Sequence, residues 1–136
     1  MASRVLDSWA LLAFFGDEPA ADAVEEILHR AALGKDRLYL SVMNWAEVYY
    51  ITTREVSQEA AELRAAEIRN LPIDIVGVAD DLKLARLAAQ FKAGDKLSLA
   101  DAFAAALAKD KKAELVTGDL EFKAVERDIK ISWLSK

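Results

Sequence analysis

Four acidic residues stand where a carboxylate hinders folding but can hold a cation. Asp7 follows the apolar pair Val5-Leu6, and Glu47 interrupts the aromatic run Trp45-Ala46-Glu47-Val48-Tyr49-Tyr50. Asp101 comes three residues after Ser98 at the head of an alanine-rich stretch, and Asp119 follows Leu115-Val116-Thr117-Gly118. An unpaired buried carboxylate is costly enough to take up a proton or recruit a cation. Several of them drawn from distant parts of one chain suggest oxygen ligands for a hard cation, Mg2+ or Mn2+. The chemistry implied is phosphodiester hydrolysis, where a divalent ion activates water and relieves charge on the phosphate.

Each acid also has a plain structural role open to it. Ser98-Leu99-Ala100-Asp101 reads as a capping box, and a negative charge in a first turn suits the helix dipole. Asp7 can cap a helix beginning at Ser8, and Asp119 can serve a turn after Gly118. Glu47 is the hardest to explain this way, because no Lys or Arg lies beside it in its segment.

Composition removes the rival chemistries. The chain has 136 residues and 54% hydrophobic content, which suits one compact domain over 1–136 and excludes disorder. Cys is absent, so no disulfide framework, thiolate zinc site or cysteine nucleophile is available. The single His29 falls within an amphipathic stretch one turn after Glu25, which reads as a surface position and leaves no paired imidazoles. A net charge of −5 is unusual for a nucleic-acid binder. Two bound divalent ions would offset about four of those charges. Lys92, Lys96, Lys123 and Arg127 flank the acids in sequence and are weak candidates for phosphate contacts. The apolar run Val5 to Phe15 is broken by Asp7 and closed by Gly16-Asp17-Glu18-Pro19, unlike a secretory leader. No other stretch has the length of a membrane span, so the expected location is the cytoplasm.

The elements that must position the acids alternate. Ser3 to Leu6, Arg37 to Leu40, Ile73 to Val78, Glu114 to Thr117 and Ile129 to Trp133 read as short strands. Between them lie helical patterns opening near Ser8, Pro19, Ser41, Ser57, Ala79 and Ser98. This alternation predicts an α/β chain, a three-layer α/β/α sandwich around a mainly parallel sheet of about five strands. No repeat, low-complexity segment or linker interrupts it. Ligands of open parallel sheets bind beyond the carboxyl ends of the strands. Asp7 and Asp119 directly follow strands, while Glu47 and Asp101 sit early in helices, so all four can converge at that edge.

These segments resemble PIN-domain nucleases, in particular the single-domain VapC-type toxins of bacterial and archaeal toxin-antitoxin pairs. The resemblance is carried by Val5-Leu6-Asp7-Ser8 with Ala10-Leu11-Leu12-Ala13 and by Ser41-Val42-Met43-Asn44-Trp45-Ala46-Glu47-Val48. It continues in Leu97-Ser98-Leu99-Ala100-Asp101-Ala102 and in Leu115-Val116-Thr117-Gly118-Asp119 with Phe122, and spans essentially the whole chain. What it implies is an endoribonuclease whose carboxylates hold one or two divalent ions, and a cognate antitoxin protein. Asp7, Asp101 and Asp119 would be the main ligands, with Glu47 a further ligand or the group orienting the attacking water. Glu121 lies where many relatives carry another acid and would be an outer ligand. Ser8 and Thr117 are candidate hydroxyls for fixing carboxylate orientation, and Asn44 is a candidate anchor for Glu47 or a loop.

Two other classes share some of these features. A phosphoacceptor receiver domain needs an aspartate ending its third strand and a lysine after its fifth; here the third ends Ile75-Val76-Gly77 and the lysine is missing. The alternative that keeps the fold is a catalytically silent PIN-like partner-binding protein, which would usually have lost some of the acids. Trp9, Phe14, Phe15, Trp45, Tyr49 and Tyr50 add more aromatic surface than one small core needs, and predict a homodimer face or a groove for the antitoxin.

Overall fold

A computed structural model describes residues 1–135. The elements run β1 (Ala2–Leu6), α1 (Ser8–Phe15), α2 (Ala21–Ala32), β2 (Asp36–Ser41), α3 (Val42–Glu55), α4 (Gln58–Asn70) and β3 (Asp74–Val76). The second half contributes α5 (Lys83–Gly94), α6 (Leu99–Lys111), β4 (Glu114–Thr117), a short 3-10 helix (Leu120–Val125) and β5 (Ile131–Trp133). The five strands form one sheet in the order β3-β2-β1-β4-β5, and every pairing is parallel. The fold is thus an α/β/α sandwich.

Alternation along the strands builds the two cores. Val5, Tyr39 and Leu115 are register partners on one face and pack with Leu84, Phe91 and Phe103 of α5 and α6. Leu6, Leu40 and Val116 are partners on the other face and pack with Leu11, Val24, Val48 and Ile68 of α1 to α4. Successive strand residues point to opposite faces, so each core forms from every second residue.

Helix α6 carries Asp101 through the middle of the molecule. All eight residues from Asp101 to Ala108 are buried, and five of them are alanine. Small side chains let this helix lie between α5, α3 and the sheet.

The chain builds outward from β1 to β2 and β3, then returns to lay β4 on the other side of β1. The strand order therefore reverses between β1 and β4, where the helices leaving the strands diverge and open a crevice. Register puts Leu6 beside Val116, so Asp7 emerges next to Thr117.

Several boundaries differ from the sequence reading, β5 among them, which begins at Ile131 rather than Ile129; three have a local cause. α2 starts at Ala21, with Pro19 outside its first turn and Gly34 at φ +75° after its end. β3 is only three residues long, because an edge strand gains pairing from one side only. α5 begins at Lys83 rather than Ala79; Leu82 adopts φ +64° and the Asp81 carboxylate accepts from the Lys83 N–H, so a turn occupies the first residues of the expected helix.

Candidate active site

Four separate pieces of chain bring acids to the carboxyl edge of the sheet. Asp7 is the N-cap of α1, with its Oδ1 accepting from the Ala10 N–H at 2.9 Å. Its Oδ2 accepts from the Thr117 hydroxyl at 2.5 Å, which ties the ends of β1 and β4 together. The same Thr117 Oγ1 accepts from the Asp119 N–H at 3.0 Å, so one hydroxyl holds both acids. Asp119 in turn caps the 3-10 helix, its Oδ1 accepting from the Glu121 N–H at 3.0 Å. Asp101 sits in the first turn of α6, where its N–H donates to the Ser98 hydroxyl at 3.1 Å. Because α6 runs back across the sheet before β4, its N-terminus lies at this same edge.

Asp101, Asp119 and Glu121 each offer a carboxylate oxygen within 4.8 Å of the other two. The tightest group is therefore completed by Glu121, which rises from the 3-10 helix that Asp119 caps. Asp7 lies below them, 1% exposed and with both oxygens hydrogen-bonded to protein. Glu47, half-buried on α3, accepts from the Tyr50 hydroxyl at 3.4 Å and repels Asp101.

The electrostatics are those of uncompensated negative charge. Burial pushes the Asp7 carboxyl up to about 8, against the hydrogen bonds from Thr117 and Ala10, with repulsion from Asp101 and Asp119 adding to the rise. Burial likewise pushes Asp101 up to about 7, reinforced by Asp119, Glu47 and Glu121 and opposed by the bond with Ser98. Among the described residues, no Lys, Arg or His ion-pairs with any of these five acids. A crowded, oxygen-only donor set without a resident cation fits a hard divalent ion.

The outer residues are arranged differently from expectation. Ser8 donates to the Asn44 backbone carbonyl at 3.3 Å and accepts from the Asn44 side-chain amide at 2.9 Å, so it touches no carboxylate. Asn44 is fully buried and joins α3 to the start of α1 rather than anchoring Glu47; its Oδ1 has no partner. Lys92, Lys96, Lys123 and Arg127 are all exposed and unpaired among the described residues.

The aromatic residues are mostly consumed by packing. Phe14, Phe15 and Trp45 rest on the core under α1 to α4; Phe14 and Phe15 meet edge to face, and Trp45 stacks on Tyr49. Trp9 instead lines a groove of about 620 Å³ with Leu12, Pro19, Ile51, Val56 and Arg64. Arg64 lies over the Phe15 ring and donates to Thr52.

Comparison with known proteins decides the family. The PIN domain profile matches residues 4–128. The chain belongs to the PIN domain family. No curated protein sequence matches it. Solved structures do. VapBC2 from Rickettsia felis, bound to a DNA fragment from its promoter, superposes with a TM-score of 0.74 at 17% identity, covering 98% of this chain and 99% of that one. VapBC-1 from nontypeable Haemophilus influenzae gives 0.68 at 21% identity over 98% and 99%. VapC20 of Mycobacterium tuberculosis, a toxin that cleaves the sarcin-ricin loop, gives 0.69 at 18% identity over 91% and 95%. At such identities the likeness is one of fold. Among the described residues no helix is long and apolar enough to cross a membrane.

Proposed function

We propose that this PIN-domain chain is a divalent-metal-dependent endoribonuclease, the VapC-type toxin of a toxin-antitoxin pair, with one functional domain over residues 1–136. The observation that carries the reading is the gathering of five carboxylates without a counter-cation at the strand-order reversal of a PIN fold. The structural likeness to VapBC complexes, one member of which is a sarcin-ricin loop cleaving toxin, supports the RNA substrate and the antitoxin partner.

Asp101, Asp119, Glu121 and Asp7 would hold Mg2+ or Mn2+, directly or through water. The ion supplies water activation and charge relief at the scissile phosphate. Thr117 bonds the Asp7 carboxylate and the Asp119 backbone N–H, which ties the two residues together, and Ser98 fixes the first turn bearing Asp101. Glu47 would be a further ligand, or would orient the attacking water and take its proton as the new P–O bond forms and the bond to the leaving oxygen breaks. The raised Asp7 and Asp101 carboxyls would lose their protons on loading. Lys92, Lys96, Lys123 and Arg127 would supply weak phosphate contacts.

The antitoxin would place a short apolar segment in the groove beside Trp9, with an Arg reaching the acids in competition with metal. We also propose a cytoplasmic homodimer. The decisive experiment is sequencing of RNA ends after brief expression of wild type beside Asp101→Asn. New ends found only with wild type support the nuclease; identical ends in both overturn it and favour the silent partner-binding reading.

A further inference from the structure

Gly118 stands between Thr117 and Asp119, and its backbone does not require glycine's left-handed freedom: among glycines only Gly34 has a positive φ. The reason for glycine is steric. An ideal Cβ at this position would fall under 3.0 Å from three carbons at the far end of the Trp9 indole, Cη2, Cζ3 and Cζ2. The far end of the ring therefore lies against the bare backbone of the turn that carries Asp119.

Trp9 is not part of either hydrophobic core. It stays half-buried, with its outer side on the groove. A large aromatic residue that contributes to neither core yet closes on one glycine has a local job. It belongs to the first turn of α1, the turn capped by Asp7. From there it presses on the segment whose Thr117 hydroxyl bonds both Asp7 and Asp119.

The geometry points to Trp9 as a positioning residue: its indole, fitted onto Gly118, holds the Thr117–Asp119 turn at the height where the Asp119 carboxylate meets Asp101 and Glu121. Without the ring the turn gains room to lift away from α1, and the Asp119–Glu121 capping bond is no longer backed. With a side chain at 118 the ring is displaced and the same turn is pushed. Residues that act on ligands through a partner commonly alter metal affinity by about 10–100-fold.

This inference rests on the metal-site reading, so one arm of its test needs no metal. In the metal-free protein, amide exchange at Asp119 and Glu121 is measured by NMR in wild type, Trp9→Ala and Gly118→Ala. Those N–H groups bond Thr117 Oγ1 and Asp119 Oδ1, and both variants are expected to exchange them about tenfold faster, with Leu115 and Val116 unchanged. The second arm is Mn2+ calorimetry. Each single variant should bind about tenfold more weakly. Gly118→Ala added to Trp9→Ala should cost less than about twofold more, because the clash is gone.

Wild-type exchange rates in both variants would overturn the positioning role, as would two losses of Mn2+ affinity that simply add. If Trp9→Ala does not fold, Gly118→Ala decides alone: unchanged exchange at Asp119 and Glu121 overturns the inference. A wild type that binds no Mn2+ would overturn the metal-site reading, while the exchange arm still judges Trp9.

Discussion

The two edges of the sheet each bury an aspartate, and they treat it in opposite ways. At the amino edge, Asp36 is 4% exposed and receives Arg30 Nε at 2.7 Å and Arg4 Nη1 at 2.6 Å. The hydrogen bond from Arg30 leads in holding its carboxyl down at about 2, with the charge of Arg4 assisting against the cost of burial. At the carboxyl edge, Asp7 is 1% exposed, receives a hydroxyl and one N–H, and is pushed up to about 8. The lesson is that burial alone does not mark a functional acid; burial without a cation does. One edge has its counter-charge built into the chain, and the other has none among the described residues.

The largest contrast should appear in activity. Asp7→Asn, Asp101→Asn and Asp119→Asn are each expected to lower Mn2+-dependent RNA cleavage at least about 100-fold, since losing a ligand should cost no less than losing its outer partner. Far-ultraviolet circular dichroism should stay unchanged. Asp36→Asn should leave the rate per folded molecule near wild type; a comparable loss there would erase the distinction between the edges.

Stability should answer the other way. Asp36→Asn leaves Arg4 and Arg30 around a buried site without its charge, so Tm should fall on the order of 10 °C. Asp7→Asn keeps the shape and relieves repulsion, so the metal-free Tm should equal or exceed wild type. Thermal melts of the two variants side by side give the check.

Metal should close the gap. At a free Mn2+ concentration about 100 times its Kd, linkage predicts about 2.7 kcal/mol of added stability for wild type and less for Asp7→Asn. Differential scanning calorimetry at pH 8 tests this, and no shift in wild type would contradict it.

A smaller effect separates the edges by pH. Asp7 and Asp101 have raised carboxyls, so their contribution is full below the ordinary value of 3.8 and is lost as pH climbs through about 7 and about 8. Asp36 has a lowered carboxyl, so its contribution is present above 3.8 and is lost as pH falls through about 2. Metal-free wild type should lose Tm between about pH 4 and pH 8, and Asp7→Asn should lose less over the same range. The smallest changes belong to Lys92, Lys96, Lys123 and Arg127. Neutralising any that touches phosphate should reduce the salt slope of RNA binding by about one, read by fluorescence anisotropy on Asp101→Asn.

Much of the active edge was legible from residue order. Asp7 and Asp119 stand directly after apolar strands, and Ser98 to Asp101 announces a helix start; local patterns of that kind survive folding. The prominence of Glu121 is not legible in the sequence, because the 3-10 helix lifting it, Leu120–Val125, is too short to show a period. The pairing of Arg4 with Asp36 was invisible, since it depends on the register between two strands. The fit of Trp9 on Gly118 was also hidden. A glycine after a strand reads as a flexible turn, whereas this one is bare to admit an indole from over a hundred residues away. Helical spacing makes Asn44 a candidate anchor for Glu47 or a loop, and its amide turns across to Ser8 at the start of α1.

The place of β4 beside β1 also sets the order in which the molecule can come alive during synthesis. Parallel pairing across so long a stretch of chain is slow, and it forms only when the intervening units have collapsed. A growing polypeptide that has made Asp7, Glu47 and even Asp101 still lacks the strand whose end supplies Thr117 and Asp119. Until those residues have left the ribosome, the half-built sheet has an open edge and no assembled centre. On the proposed function, the ribosome would thus be spared a working nuclease on the nascent chain, and an antitoxin would have that interval in which to arrive.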